Sequence, residues 1–269
     1  MKDFIWTLRF LTIVPIAGRQ QGRPPKISNV AFWFPIVGLI MGIALTCLYL
    51  PVLQLFSYLI ADAIVLTAYI IMTGGYHLDG LADTFDGLFG GSNREKRLKI
   101  MRDSRIGTYG VLCLVVTIGL KYLCIASIGS KDMGGMPYFF DTDTMNGLSP
   151  TVLYACEKGK ILFFMCAVGR WSQILSASVS TYARDDEGTG RIIVDNLNLK
   201  HLLVSSYVPL LLIFFFCGMK GIFVLSIVVV ISLIFTSFVK GKIGGVTGDT
   251  LGAVNEIGEL TFLLSVLAL

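Results

Sequence analysis

Long apolar runs, each close to the thickness of a bilayer, constrain the fold of this chain more than any other feature. Six segments reach or approach the length of about 20 residues that a membrane-spanning helix needs: 30–50, 55–73, 107–128, 161–181, 201–218 and 221–239. Only 15% of the residues are charged, against roughly 25% in soluble domains. A backbone in lipid must satisfy its own hydrogen bonds, so such runs form helices. The sequence therefore predicts an all-α, polytopic integral membrane bundle of about six spanning helices, forming a single domain over residues 1–269.

Three further segments do not fit a full span. Residues 4–16 are a short apolar stretch that we expect at the membrane interface or packed on the bundle. Residues 260–269 are too short to cross a membrane alone, and we expect them to complete a helix that begins near Asp249. Residues 129–160 are rich in Gly, Pro, Asp and Thr, and we interpret them as a connector. The six cysteines show no metal-ligand or CxxC spacing, which is typical of apolar packing residues.

Lys and Arg residues are distributed unevenly between the predicted loops. Sixteen lie in alternate loops of one set: 1–26, 75–106, 182–200 and 240–242. Five lie in the remaining loops, and Arg170 lies within a predicted span. The positive-inside rule predicts that both termini and the segments 74–110 and 244–259 face the cytoplasm. A net charge of +4 distributed in this way does not indicate a nucleic-acid partner. Arg170 and Asp62, which both lie inside predicted spans, are candidate functional residues, because intramembrane charges are costly.

The segment that follows the second predicted span carries the strongest chemical signal, GGYHLDGLADTFDG over residues 74–87. Asp79, Asp83 and Asp86 stand at i, i+4 and i+7, so a helix places them on one face. Three ionised carboxylates so close repel one another unless a cation holds them, and a helix cap accounts for one aspartate but not three. Oxygen ligands favour Mg²⁺. Three roles stay open for His77: a general base, a hydrogen-bond donor to a phosphate, or a structural residue at the start of the helix.

Two arginine-containing segments point to a phosphate group. Residues 101–110 read MRDSRIGTYG, and the guanidinium forks of Arg102 and Arg105, with Ser104 between them, match phosphate oxygens. The basic residues of 94–99 are interpreted as flanking charge. Arg184 and Arg191, in the loop before the fifth predicted span, are candidates to close over an anionic substrate, and a solvated loop face is the alternative.

A glycine-rich segment near the C-terminus, GGVTGDTLGAVNEIGE over residues 244–259, has two interpretations. Backbone N–H groups around Gly245, Thr247 and Gly248 can bind an anion at a helix start, and small residues equally serve helix packing in membranes. Asp249 and Glu256 at i and i+7 share one helical face. We expect this second acidic segment to meet the first and to hold one or two Mg²⁺ ions with it.

Together with FLTIVP near the start and FPIVGLIMG in the first span, these three motifs resemble the adenosylcobinamide-GDP ribazoletransferase family, also called cobalamin-5'-phosphate synthase. The resemblance runs in order over nearly the whole chain. It implies a Mg²⁺-dependent enzyme of the bacterial or archaeal cytoplasmic membrane. Such an enzyme transfers adenosylcobinamide phosphate from adenosylcobinamide-GDP to α-ribazole or its 5'-phosphate, releases GMP, and forms adenosylcobalamin or its 5'-phosphate.

The candidate residues fit this reaction. We expect Asp79, Asp83, Asp86 and Asp249 to hold Mg²⁺ across the diphosphate, and Arg102 and Arg105 to bind the diphosphate or the departing GMP. Asp86 or His77 deprotonates the attacking ribose hydroxyl, and the Asp83 carboxylate is expected to be essential for turnover. For partners, we expect the lipid bilayer, and either a homo-oligomer or an association with other cobalamin-pathway enzymes stays open.

Three other classes of protein share some of these features. CDP-alcohol phosphotransferases share an aspartate-rich membrane helix, but their Asp-Gly is followed by Ala-Arg, and here Asp79 and Gly80 are followed by Leu-Ala-Asp. Prenyltransferases of quinone pathways begin their first motif with Asn-Asp, which this chain lacks. A transporter would use Asp62, Arg170 and the aspartates as an ion path. Carboxylates at one membrane face and the lack of an evident inverted repeat argue against it.

Overall fold

The protein is a bundle of helices in the computed structural model, which describes residues 2–15, 27–128, 150–185 and 189–269. In chain order the helices are α1 Lys2–Leu11, α2 Ile27–Leu55, α3 Tyr58–Met72, α4 Tyr76–Gly90, α5 Arg94–Ile100, α6 Thr108–Ser127, α7 Pro150–Ser178, α8 Thr189–Asn196, α9 Leu199–Ile243 and α10 Gly248–Leu267. These described ranges contain no strand, and an isolated parallel bridge joins Tyr182 to Val246. The predicted all-α fold is confirmed.

Several of these helices are suited to a membrane by length and composition. Within the described ranges, α2, α6, α7, α9 and α10 are each long and apolar enough to cross, and the bent pair of α3 and α4 makes a sixth if counted as one span. α7 lies in the centre of the bundle, with 89% of its apolar window buried, whereas α6 and α9 bury only 33% of theirs. The chain is therefore a multi-pass membrane protein. α10 also confirms the helix expected to begin near Asp249.

α9 is broken near its middle. Gly218 has φ 57° and ψ −145°, a conformation that residues with a side chain rarely adopt. A Cβ placed on Gly221 would lie 3.1 Å from the carbonyl oxygen of Ile213, although a straight helix separates residues eight apart by about 12 Å. The chain thus folds back at the break. The two halves of α9 correspond to the predicted spans 201–218 and 221–239.

The beginning of α7 corrects one prediction. The segment 129–160 was expected to be a connector, but α7 already begins at Pro150, while residues 129–149 lie outside the described part of the chain. The charged residues near the start of α7, which suggested a loop, have ion-pair partners. Lys158 Nζ lies 3.2 Å from a carboxylate oxygen of Asp62, and both side chains are fully buried. Lys160 pairs with Glu157 at 3.0 Å in the same helix. Because their charges are neutralised, these residues are accommodated within α7, which therefore begins earlier than the sequence predicts.

A sharp turn between α3 and α4 directs the aspartate-rich helix across the bundle. Gly74 and Gly75 have φ of 63° and 70°, the left-handed region that favours glycine. The two helices consequently meet at an angle of 82°. After this turn α4 packs against α10 and α6, so the acidic motif of α4 lies beside the glycine-rich start of α10.

Candidate active site

The two acidic motifs meet where α4 crosses α10, because glycines let the two backbones touch. A Cβ on Gly80 would lie 2.7 Å from the carbonyl oxygen of Asp249, and a Cβ on Gly252 would lie 3.2 Å from the Cα of His77. Such close approach of helices requires small residues at the contact. The crossing thereby brings the carboxylate of Asp249 into the neighbourhood of the α4 aspartates.

Asp79 and Asp83 line a cleft of about 280 Å³, which they share with Arg102 and Ser104. We call this space the acidic cleft. The charges of Asp79, Asp83 and Asp249 act on one another, and we call these three residues the carboxylate cluster. Three negative charges that repel one another favour a bound cation or a shared proton.

The donor atoms of the acidic cleft fit Mg²⁺. Across the described ranges, no three His, Cys, Asp or Glu side chains converge closely enough to enclose a metal ion by themselves. Mg²⁺ does not need such a cage, because it usually keeps several waters and binds through one or two carboxylates together with substrate phosphates. Asp79 and Asp83 supply carboxylates of this kind, and Ser104 adds a hydroxyl oxygen to the same cleft.

Asp86 is turned toward α6. One carboxylate oxygen accepts the backbone N–H of Gly107 at 2.7 Å, and the other accepts that of Gly110 at 2.9 Å. These N–H groups belong to the first turn of α6, where no partner within the helix is available, and a negative charge there is favoured by the helix dipole. The structure thus gives the Asp86 carboxylate the role of a helix cap, which the expected roles of Mg²⁺ ligand and base did not include.

Glu256 lies in a different cluster from Asp249. It is about 10 Å further along α10, where its carboxylate accepts a hydrogen bond of 2.6 Å from Lys121. Lys121 also contacts Glu259 at 2.5 Å, and Glu259 in turn contacts Arg170 at 2.5 Å. All four side chains are buried, and their charges sum to zero. Glu256 and Arg170, both singled out by sequence, are therefore members of one internal ion network instead of the acidic cleft.

Arg102 and Arg105, the two arginines of the 101–110 segment, lie in different environments. Arg102 lines the acidic cleft with Ser104, whereas the side chain of Arg105 is 87% exposed and pairs with Asp103 at 2.7 Å. Hydrogen bonds from Arg105 lower the pKa of the Asp103 carboxyl to about 2, because they stabilise its charged form. Of the two, Arg102 is the one placed to contact a phosphate in the cleft.

A second, basic cleft of about 380 Å³ adjoins the first. Arg94, Lys99, Arg102 and Arg184 line it, and Arg184 donates a hydrogen bond of 2.7 Å to the carboxylate of Asp249. Arg102 borders both clefts, so the two spaces form one continuous surface for an anionic substrate.

Arg94 is a functional candidate that the sequence interpretation set aside as flanking charge. It donates hydrogen bonds to the carbonyls of Ile243 at 2.9 Å and Ala183 at 2.7 Å. Arg94 therefore ties α5 to the end of α9 and to the segment that carries Arg184. Nothing in its local spacing distinguishes it from the neighbouring basic residues, because its partners are remote in sequence.

The residues of the glycine-rich turn before α10 mostly contact other parts of the protein. A Cβ on Gly245 would lie 2.3 Å from the carbonyl oxygen of Thr181. Thr247 and Thr250 each cap the other's backbone N–H, at 3.3 Å and 2.7 Å, and both are fully buried. For Gly245 and Thr247 the geometry favours the packing interpretation over anion binding. Gly248 differs, because it lines a third cavity.

That third cavity, of about 470 Å³, contains His77. It is lined by Trp6, Phe10 and Phe34 together with His77 and Gln173, and we call it the aromatic cavity. His77 faces away from the acidic cleft. Asp79 and Asp83 follow it by two and six residues, which places them on roughly the opposite side of α4. The sequence interpretation missed Trp6, Phe10, Phe34 and Gln173, because aromatic residues in an apolar helix look like ordinary packing residues.

Comparison with known proteins agrees with this arrangement of motifs. The model of the cobalamin-5-phosphate synthase family matches residues 3–268. The chain belongs to this family. The match runs through every helix that lines the acidic cleft and the aromatic cavity, and it confirms the resemblance seen in the three motifs.

Curated relatives in the cobalamin-5-phosphate synthase family carry the name adenosylcobinamide-GDP ribazoletransferase. One from Caldanaerobacter subterraneus is 35% identical, over 97% of this chain and 95% of the relative. One from Clostridium acetobutylicum is 34% identical, over 99% and 96%. One from Acetivibrio thermocellus is 32% identical, over 98% and 96%. No solved structure matches the chain.

Proposed function

We propose that this protein is an adenosylcobinamide-GDP ribazoletransferase. It transfers adenosylcobinamide phosphate from adenosylcobinamide-GDP to α-ribazole or to α-ribazole 5'-phosphate, releases GMP, and completes adenosylcobalamin or its 5'-phosphate. The family and the names of the relatives support the reaction. The observation that carries the proposal in this chain is the shared cleft, which Asp79, Asp83 and Arg102 line together.

Phosphoryl transfer requires charge neutralisation at the diphosphate and a nucleophile held in line with the leaving group. In this proposal Asp79 and Asp83 would hold Mg²⁺, with Asp249 kept beside them by Arg184. When bound, the ion supplies charge neutralisation on the transferred phosphate. Arg102 binds the diphosphate oxygens from the side where the acidic and basic clefts join. Arg105 and Glu256 have no part in the proposed chemistry, because each already has an ion-pair partner elsewhere.

The bond changes follow from the two substrates. A ribose hydroxyl of the acceptor attacks the phosphorus on the cobinamide side of the diphosphate and forms a new P–O bond. The bond from that phosphorus to the bridging oxygen breaks, and GMP leaves with this oxygen. The hydroxyl proton passes to the carboxylate of Asp249, the member of the carboxylate cluster that this scheme does not assign to Mg²⁺. Asp86 does not serve as the base in this scheme, since both of its oxygens accept backbone N–H groups.

We further propose that both clefts face the cytoplasm from the cell membrane. The basic residues around them support this orientation through the positive-inside rule. A nucleotide-activated substrate would reach the site from that side. Association with further copies of the chain or with other cobalamin-pathway enzymes stays an expectation from sequence.

The geometry favours an enzyme over a transporter. Asp62 pairs with Lys158 and Arg170 pairs with Glu259, and all four side chains are buried. Neither residue is therefore available for the ion path that a transporter would need. The carboxylate cluster lies instead beside two clefts of nucleotide size.

GMP release tests the proposed function. The purified protein in nanodiscs is supplied with adenosylcobinamide-GDP, with and without Mg²⁺, and with α-ribazole, α-ribazole 5'-phosphate or no acceptor. We expect GMP to appear only when Mg²⁺ and an acceptor are both present. The acceptor with the higher kcat/KM is the working substrate. Absence of GMP with both acceptors across a range of Mg²⁺ concentrations would overturn the proposal.

A further inference from the structure

The aromatic cavity lies behind the acidic cleft, on the other side of the crossing of α4 and α10. Its volume of about 470 Å³ falls within the range of small-molecule sites, which are mostly apolar with a few placed polar groups. Trp6 and Phe10 come from α1 and Phe34 from α2, and their rings offer flat apolar walls. Such walls suit a planar aromatic ligand.

Two buried polar side chains of this cavity lack a partner. His77 and Gln173 are only 7% and 5% exposed, and neither His77 Nδ1 nor Gln173 Oε1 has a hydrogen-bond partner among the described residues. Buried polar atoms are normally satisfied, and these two unsatisfied atoms belong to residues that line one cavity, which points to a ligand with polar atoms. A ring nitrogen can accept from the imidazole N–H, and a hydroxyl can donate to the amide oxygen.

The cavity adjoins the carboxylate cluster through the start of α10. Gly248 lines the cavity and immediately precedes Asp249 in the chain. A Cβ placed on Gly248 would meet no atom within 4 Å, so the space beside this residue is open. A ligand whose flat part occupies the cavity can therefore extend past Gly248 toward Asp249.

We infer that the aromatic cavity is the acceptor site and that it binds the aromatic base of α-ribazole, with the ribose directed past Gly248 toward the carboxylate cluster. This inference rests on the proposed function and adds to it the location of the second substrate. The diphosphate and guanosine of the donor belong to the acidic and basic clefts, where the arginines lie. The two substrates thus approach the carboxylate cluster from opposite sides of the crossing.

Two substitutions test the acceptor site by different means. Ile193→Trp fills the cavity from α8, and Gln173→Leu removes the unsatisfied amide oxygen while keeping the approximate size of the side chain. Each is expected to raise the KM for α-ribazole at least tenfold and to leave the KM for adenosylcobinamide-GDP within twofold. Ile60→Trp, on an exposed face of α3 remote from the cavity, is the matched control and keeps both KM values.

Calorimetric titration of the full chain in nanodiscs with α-ribazole gives a second readout that does not depend on turnover. Ile193→Trp should weaken this binding tenfold or more, while Asp83→Asn should bind α-ribazole with wild-type affinity although it does not turn over. A variant with wild-type affinity for adenosylcobinamide-GDP is folded, which separates loss of the acceptor site from loss of structure.

The outcomes distinguish the two proposals. If the wild-type protein releases GMP with α-ribazole but both cavity variants keep its KM and affinity, the acceptor site is elsewhere and only this inference is overturned. If the wild-type protein binds α-ribazole in the cavity but releases no GMP, the site stands and the proposed function fails. If wild-type protein binds neither α-ribazole nor α-ribazole 5'-phosphate, the acceptor site is overturned.

Discussion

Gly80 of α4 packs directly on the backbone of Asp249 of α10, with room for no side chain between them. A Cβ at position 80 would lie 2.7 Å from the Asp249 carbonyl oxygen and 3.0 Å from its Cα. Both of these are backbone atoms, so neither can rotate away. The separation between the carboxylates of α4 and that of Asp249 is consequently set by the absence of a side chain at Gly80.

Gly80→Ala is expected to reduce GMP release by about 100-fold, because a displacement of roughly 1 Å in a catalytic arrangement costs this much. The matched control is Gly119→Ala in α6, where a Cβ would meet no atom within 4 Å. This control should keep full activity and gain up to about 1 kcal/mol of helix stability. Wild-type activity in Gly80→Ala would show that the helix crossing does not control the reaction.

Asp83→Asn should abolish turnover while the protein still inserts into the membrane and elutes as a folded species. The amide removes one negative charge from the carboxylate cluster, and we expect a loss on the order of 100-fold or more, as for residues that support a metal site. The measurement is GMP release at saturating Mg²⁺. Asp195→Asn, which alters an exposed carboxylate on α8 that pairs with Arg191, is the control and retains activity. Near-normal turnover in Asp83→Asn would rule out the proposed Mg²⁺ ligand.

Arg102 and Arg105 are predicted to differ, although sequence treated them as a pair. Arg102→Ala should raise the KM for adenosylcobinamide-GDP at least tenfold, because it removes a guanidinium from the acidic cleft. Arg105→Ala should change the rate by less than about twofold, as is usual for an exposed ion pair. Equal losses in the two variants would contradict this assignment.

The Asp103–Arg105 pair also makes a prediction about pH. Arg105 lowers the pKa of Asp103 to about 2, so the folded-state pKa lies below the unfolded value of about 4. The contribution of this pair to stability is therefore fully present above the unfolded pKa and is lost only as the pH falls toward 2. Arg105→Ala should accordingly leave the pH–rate profile between pH 6 and pH 8 unchanged, and a shifted profile would show that the pair acts in the reaction.

The membrane bundle was predictable because lipid imposes a length and a hydrogen-bonding rule on each apolar run. The break at Gly218 separates the two spans predicted there, since glycine is the residue that such a turn requires. The early start of α7 was not predictable, because the charges of Glu157, Lys158 and Lys160 look like a loop. Only the fold reveals that Asp62, nearly a hundred residues earlier, neutralises Lys158.

The candidate site was predictable only in part, because the sequence does not show which helices pack against each other. Helical spacing places Asp79, Asp83 and Asp86 on one face, but it does not tell which carboxylate meets the N–H groups of α6. In the same way, Glu256 shares a face with Asp249 but lies two turns further along, where Lys121 binds it. Spacing within a helix defines a face, whereas the role of each residue depends on the neighbouring helix.

The capping role of Asp86 predicts an effect on stability. Asp86→Ala leaves two backbone N–H groups at the start of α6 without a partner, which should destabilise the protein by about 1–3 kcal/mol for each buried group. Asp86→Asn keeps one acceptor oxygen and should lose less. Thermal unfolding in detergent measures both variants. If Asp86→Asn abolished turnover without lowering the melting temperature, Asp86 would act in the reaction and the capping role would be insufficient.

Lys121 provides a test of the internal ion network. It lies between the carboxylates of Glu256 and Glu259, at 2.6 Å and 2.5 Å, and Lys121→Met would leave Glu256 buried without its cation. Removing one member of a buried ion pair typically costs about 3–5 kcal/mol, so a large fall in the melting temperature is expected. The double variant Lys121→Met/Glu256→Gln removes both charges and should recover most of this loss, while Lys220→Met at an exposed position should change little. A double variant no more stable than Lys121→Met would contradict the neutral network, because the loss would then come from packing and not from an unpaired charge.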